Sequence, residues 1–391
     1  MRDKAGSETV IRGGFGVYYD LGIASFGSYA SSQPYTRSRI VATTAMPINE
    51  SLLTPTAFNI NSSVTFLKAN KLDIKLPYTL QWNTSVEQSF GANQTVTASY
   101  VGSAGRRLLR SNLFLVNLYP TQSVLTVTEN GSTSDYQSLQ FEYQRRLSKG
   151  FQALASYTLA KSTDTGSSDV IVAEFGDKIE QSFFKGPSSF DIRHNFSAAL
   201  TYEIPSISQN KFVKSIFGNW SADTILKMQS APPIDVVEQQ SREFGTFPNH
   251  PDVVSGQSVW IDDPLVPGGR RINPAAFQAV TTARVGNSPR NSVRGFSLWQ
   301  VDASLSRKFA LKVLKENVKL QFRSDFFNIF NHPNFAQPNG TLGTVTTAGA
   351  FTPNASFGRS SQMLNTSLGG LNAIHQVGGP RSIQFSMRVE F

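Results

Sequence analysis

Asp302, Arg323 and Asp325 fall on the polar faces of two neighbouring extended segments, and their types suit contact with a polar solute or with a plug filling a lumen. The plainer role is a cross-strand charge ladder that keeps a wall wetted, because opposite charges on facing strands attract. His194 and His332 are the next residues with chemical potential, as a shared metal pair. Neither has a second His or a carboxylate at the spacing metal sites use, so hydrogen bonding at a rim is the expected role. Gly13-Gly-Phe-Gly16 has the glycines of a phosphate-cradling loop. Such a loop needs a following helix and a Lys, whereas Val17-Tyr-Tyr-Asp20 is an extended pattern. The chain contains no Cys, which removes disulfides, thiolate metal sites and a cysteine nucleophile. No pair of carboxylates is apparent at the ~5–10 Å that glycoside hydrolysis requires. These residues point away from an enzyme and imply no cofactor.

The elements that hold these residues must be strands. The 391 residues include 29 Phe, 11 Tyr, 4 Trp and 29 Gly, a balance that favours strands and turns over helices. Mean hydropathy is −0.21, and no stretch approaches the roughly 18 apolar residues of a membrane helix. Strands that alternate hide their apolar face from such an average. The net charge of +9 is spread along the chain without a basic run or binding motif, so nucleic acid is excluded as a partner. A solvated or lipopolysaccharide-facing surface accounts for the charge. Met1-Arg-Asp-Lys-Ala-Gly-Ser-Glu lacks an apolar core, so no signal peptide is read there.

Ten segments alternate with a period of two. The last is the clearest: Ile383, Phe385, Met387, Val389 and Phe391 share one face, and Ser382, Gln384, Ser386, Arg388 and Glu390 the other. The others run from about Thr9 to Asp20, then through Tyr78–Phe90, Thr95–Tyr100, Leu139–Gln144, Phe151–Leu159, Asn195–Ile204, Trp220–Gln229, Trp299–Phe309 and Val318–Phe326. Aromatics at their ends, including Tyr18, Tyr19, Trp82, Tyr100, Tyr202 and Trp220, suit the interfacial girdles of a membrane wall.

The connections alternate too. Short links at Gly91–Gln94, Ser148–Gly150, the Pro205 segment and Leu311–Glu316 are interleaved with long ones. The long ones run from about Leu21 to Pro77, Gly102 to Ser134, Lys161 to Phe190, Ala231 to Leu298 and Ile329 to Pro380. Tight turns on one side and large loops on the other describe an outer-membrane barrel. The fold class is therefore all-β, an antiparallel transmembrane β-barrel segment of about ten strands with short periplasmic turns and long extracellular loops. External recognition would lie in those loops, where no residue stands out.

The segments also resemble a family. Leu76-Pro-Tyr-Thr-Leu-Gln-Trp-Asn83, Ser99-Tyr-Val-Gly-Ser-Ala-Gly-Arg106, Ala155-Ser-Tyr-Thr-Leu-Ala-Lys-Ser162, Phe190-Asp-Ile-Arg-His-Asn-Phe196 and Leu320–Phe335 are similar, in this order, to the C-terminal barrel half of Oar-like TonB-dependent receptors. Arg12–Asp20 matches a strand from the middle of those barrels. The resemblance implies an outer-membrane location and solute uptake. It also implies that residues 1–391 are the C-terminal portion of a longer receptor or a truncated gene, with Met1 internal and the signal peptide, plug and first barrel half absent. Outer-membrane lipid and lipopolysaccharide are the implied surroundings. The barrel-assembly machinery would read Ile383, Phe385, Met387, Val389 and Phe391 as an insertion signal, and the TonB system would act only through the missing plug. The competing expectation is an autonomous ten-stranded pore or adhesion scaffold.

Overall fold

The computed structural model describes residues 7–20, 41, 46–54, 65–118, 121–167, 171–173, 184–205, 210, 218–242, 245–282, 284–313, 316–367 and 377–390. Ten wall strands run in chain order as β1 (Thr9–Tyr19), β2 (Tyr78–Phe90), β3 (Gln94–Leu118), β4 (Thr121–Ser148) and β5 (Phe151–Asp164), then β6 (His194–Glu203), β7 (Trp220–Gln229), β8 (Leu298–Val313), β9 (Glu316–Phe327) and β10 (Ser382–Glu390). Each pairs antiparallel with the next, giving one continuous meander. Among the described residues no pairing joins β1 to β10, so the sheet is open.

Register puts the apolar alternation on one side throughout. Ile11, Phe15 and Val17 face Val86, Trp82 and Leu80 across β1 and β2, and Phe141 faces Tyr157 across β4 and β5. Met387 faces Phe322 at the other end of the sheet. The wall is one layer thick, so these side chains have no protein behind them: Phe15 is 70% exposed and Phe385 68%. In water such a surface would be a severe liability, whereas a hydrocarbon solvent covers it. Two glycines fix the geometry. Gly102 lies directly under the Trp82 ring, where a Cβ would sit 2.2 Å from the indole. Gly150 closes the β4–β5 turn at φ 76° with the Glu203 carbonyl beside it. An L side chain is disfavoured at both.

Three expectations are corrected. The stretch from Gly102 to Ser134 is not a loop, because β3 and β4 continue as a hairpin through 25 and 28 residues. A strand needs only ~9–11 residues to cross a bilayer, so more than half of this hairpin stands outside it. Thr65–Asn70 lies parallel to β4, and Ile171–Ala173 parallel to β3, thickening the projecting arm. Tyr18 pairs with Thr79 on the face opposite Tyr19, so it belongs to the inner wall and not to the outer girdle.

The third correction concerns the connections β7–β8 and β9–β10. They fold together as a cap with its own core of Ile234, Val236, Ile272, Ala276, Phe277, Val293, Leu342 and Phe357. Within it Val237–Arg242 pairs parallel with Thr341–Val345, so backbone hydrogen bonds tie one long connection to the other. Gly245–Asn249 and Phe351–Pro353 add the outer strands of this small sheet. The best-buried apolar side chains among the described residues, Ile272, Ala276 and Val236, lie in the cap and not in the wall.

Candidate functional site

The inner face of the wall is polar, as a lumen must be, and its side chains stack in cross-strand rows. One row runs through Gln152, Thr201, Asp223, Ser304, Asp325 and Gln384. Arg323 lies one step nearer the periplasmic turns, opposite Ser306. Its Nε donates to Asp325 at 2.8 Å and its Nη1 to Asp223 at 3.3 Å. Asp223 also accepts from Thr201 at 2.8 Å and from Ser304 at 3.1 Å. The arrangement is a guanidinium bridging two carboxylates, with hydroxyls completing the ligand set. Below it opens a cavity of about 760 Å³ lined by Asp223, Ser306, Lys308, Gln321 and Arg323.

Of the three charged residues singled out in the sequence, the structure brings Arg323 and Asp325 together. Asp302 stands apart: its Oδ1 accepts from Gln300 at 2.8 Å and from the Asn328 backbone at 2.7 Å. It caps the end of β9 where Asn328 turns at φ 47°. Asp223 was the missing third member, and its even spacing from Lys227 on the polar face of β7 was the available signal.

Above the wall the cap is fastened to the rim by two ion pairs, the first buried on both sides. Arg290 Nη1 meets the Asp164 carboxylate at 2.5 Å and the Asp164 carbonyl at 3.0 Å, and its Nη2 donates to Ser167 at 2.6 Å. Arg294 pairs with Asp191 and donates to the Asp191 carbonyl at 2.7 Å. Asp191 accepts in turn from the Ser162 amide at 2.6 Å. Asn291 donates to the Pro187 carbonyl at 2.7 Å between them. Residues 290–294 are thus a clasp from the cap onto β5 and the segment leading into β6. The Asp of the Phe190-Asp-Ile-Arg-His motif serves this clasp.

Inside the cap Glu238 is fully buried and accepts from Gln240 at 2.9 Å, Asn249 at 3.0 Å and the Val280 amide at 2.9 Å. On its outer side Arg284 donates to Asp252 at 3.0 Å, and this hydrogen bond holds the Asp252 carboxyl below the usual range.

The two histidines sit at the external rim without converging on a shared ligand. His194 Nδ1 is 2.8 Å from the Tyr157 hydroxyl, and His332 stacks on Trp299 at 4.2 Å between ring centres. Burial lowers the His332 pKa. Among the described residues no group of three or more His and acidic side chains is placed to hold a metal.

On β10, Ile383, Phe385, Met387 and Val389 all face outward, opposite Phe326, Ser324, Phe322 and Leu320. Phe385 stacks with Phe322 at 6.3 Å. Phe391 lies outside the described residues.

The outer membrane transporter YddB from Escherichia coli superimposes with a TM-score of 0.52 over 97% of this chain, at 13% identity. The chain spans 38% of that transporter's length. A copper transporter, OprC, aligns over 83% of the chain and 33% of its own length, at 11% identity and a TM-score of 0.35. No curated protein matches the chain. Residues 4–363 match the family model described as an outer membrane beta barrel domain. An alternating single-layer wall, an apolar outer face and this match together place the chain in the outer membrane, and it belongs to the outer membrane beta barrel domain family.

Proposed function

We propose that this chain forms wall, rim and external cap of an Oar-like, TonB-dependent receptor that imports a solute across the outer membrane. The observation that carries the reading is the open ten-stranded sheet beneath a structured cap. Among the described residues both edges present unpaired backbone groups, which cost several kcal/mol each in hydrocarbon. Further strands would satisfy them, and barrels of about 22 strands with a plugged lumen provide the number. The fold likeness to a transporter, over 38% of its length, supports the same reading. In this scheme the cap and the projecting β3–β4 hairpin meet the solute outside. The polar inner wall then offers a hydrated path past the Asp223–Arg323–Asp325 bridge. Energy would reach the lumen through a plug driven by the TonB system.

The test has two arms in the source organism. An antibody against the cap should detect, in outer-membrane fractions, a product well above 42.9 kDa. Deleting the gene should abolish the energy-dependent depletion of at least one solute from the medium. A band at 42.9 kDa that runs faster unboiled, with solute depletion unchanged, would instead identify an autonomous pore or adhesion scaffold.

A further inference from the structure

We infer that the lipid-facing side of the external rim holds one lipopolysaccharide molecule at a fixed site, which requires the outer-membrane location but not solute uptake. Phe196, Met228 and Trp299 pair in one row across β6, β7 and β8 on the outward face. Together with His194, Ser230 and Ser297 they line a groove of about 540 Å³. Ser230 follows β7 and Ser297 precedes β8, so the groove lies where the cap is rooted in the wall. These three strands have paired neighbours on both sides. Neither a plug in the lumen nor strands added at the sheet edges would cover this face.

The occupant follows from continuity with the hydrocarbon that covers the rest of the outer face. Met228, in the middle of the row, is 42% exposed. A lipid chain against a flat wall touches it on one side and exchanges readily. In a groove the same chain is contacted on several sides, and the apolar area it buries rises accordingly. The groove is also preset. His332 stacks on Trp299 at 4.2 Å between ring centres, and the Tyr157 hydroxyl holds His194 Nδ1 at 2.8 Å. The Ser230 hydroxyl accepts from the His194 amide at 2.9 Å. Little side-chain freedom is therefore lost on binding.

Polarity along the groove gives the lipid its direction. The apolar row forms the membrane end, and the His194 imidazole with the Ser230 and Ser297 hydroxyls forms the external end. A lipid thus lies tail toward the midplane and head outward, as outer-leaflet lipids do. In an outer membrane that leaflet is lipopolysaccharide, whose phosphorylated sugars bring hydroxyls and negative charge to this end. Lys161 stands exposed on the same face, two residues beyond Leu159, the strand partner of His194. Asp164 and Asp191, on the same stretch of rim, are engaged by Arg290 and Arg294. Attraction between the Lys161 ammonium and a phosphate then adds to the burial of the chain.

Native mass spectrometry of the full-length protein, released by mild detergent from phosphatidylcholine nanodiscs doped with lipid A, tests this. One lipid A should stay bound to each protein. Met228→Trp, which fills the groove, should cut that retention at least about tenfold. Phe141→Trp, on the same outer face two strands away, should leave it unchanged. Ser297→Trp, at the exposed external end, makes the same test should Met228→Trp fail to fold. Lipid A stripped of its phosphates should be retained about tenfold less. Lys161→Gln should remove that difference, and Lys161→Arg should keep it. No retained lipid A, retention unaltered in a folded groove-filling variant, or phosphatidylcholine kept in equal measure would overturn the site. So would a phosphate preference indifferent to Lys161→Gln.

Discussion

Arg290 and Asp164 are 10% and 3% exposed, and neither reaches water well enough to survive alone. Two charges taken out of water are tolerated when each is the other's solvent, and removal of one leaves the second stranded. Arg290→Ala should therefore cost about 3–5 kcal/mol in the docking of the cap on the rim. Limited proteolysis of intact membranes would read it as new cleavage in the cap, while Arg290→Met with Asp164→Leu should restore most of the protection. His332 makes a second, pH-dependent case. Burial lowers its pKa below the ordinary 6.5, so between the two values the unfolded chain binds more protons than the folded one. Stability then rises with pH, and acidification from pH 7.5 to 5.0 should loosen the turn from Asn328 to Asn334. Amide exchange over that turn measures the effect, and His332→Phe, which keeps a ring on Trp299, should flatten it.

The strands were legible because two solvents write a strict rule. Wherever one face meets lipid and the other water, side chains alternate, and all ten wall strands announce themselves in this way. The same rule predicts the penalty for breaking it. Phe385 lies mid-strand on the outer face of β10, and Phe385→Arg should destabilise the folded barrel by about 2–4 kcal/mol. Urea titration in lipid, followed by the heat-modifiable band, would show it. Where the rule lapses, so does the reading. Beyond the rim the β3–β4 hairpin no longer divides lipid from water, and Leu113-Phe114-Leu115-Val116 runs without alternation, so the hairpin looks like a loop. The cap was illegible for another reason. Its core joins residues as distant as Ile234 and Phe357, and no local period relates them.

At the scale of the whole molecule, the wall was readable and the site only in part. Arg323 and Asp325 were visible as charges on facing strands. Their link to Asp223 needed the register of three strands. Neither the clasp nor the stacked rim histidine was legible, because each joins residues far apart in the chain. One feature of the cap reaches further than its architecture. The parallel pair between Val237–Arg242 and Thr341–Val345 joins connections that flank β8 and β9. Each half has a hairpin partner within its own connection, but the pairing between the halves waits until both of those strands have been laid into the wall. Contacts this distant in the chain form late. The cap is thus a receipt for assembly: a cell that displays it on the outside has already laid β8 and β9 beneath it.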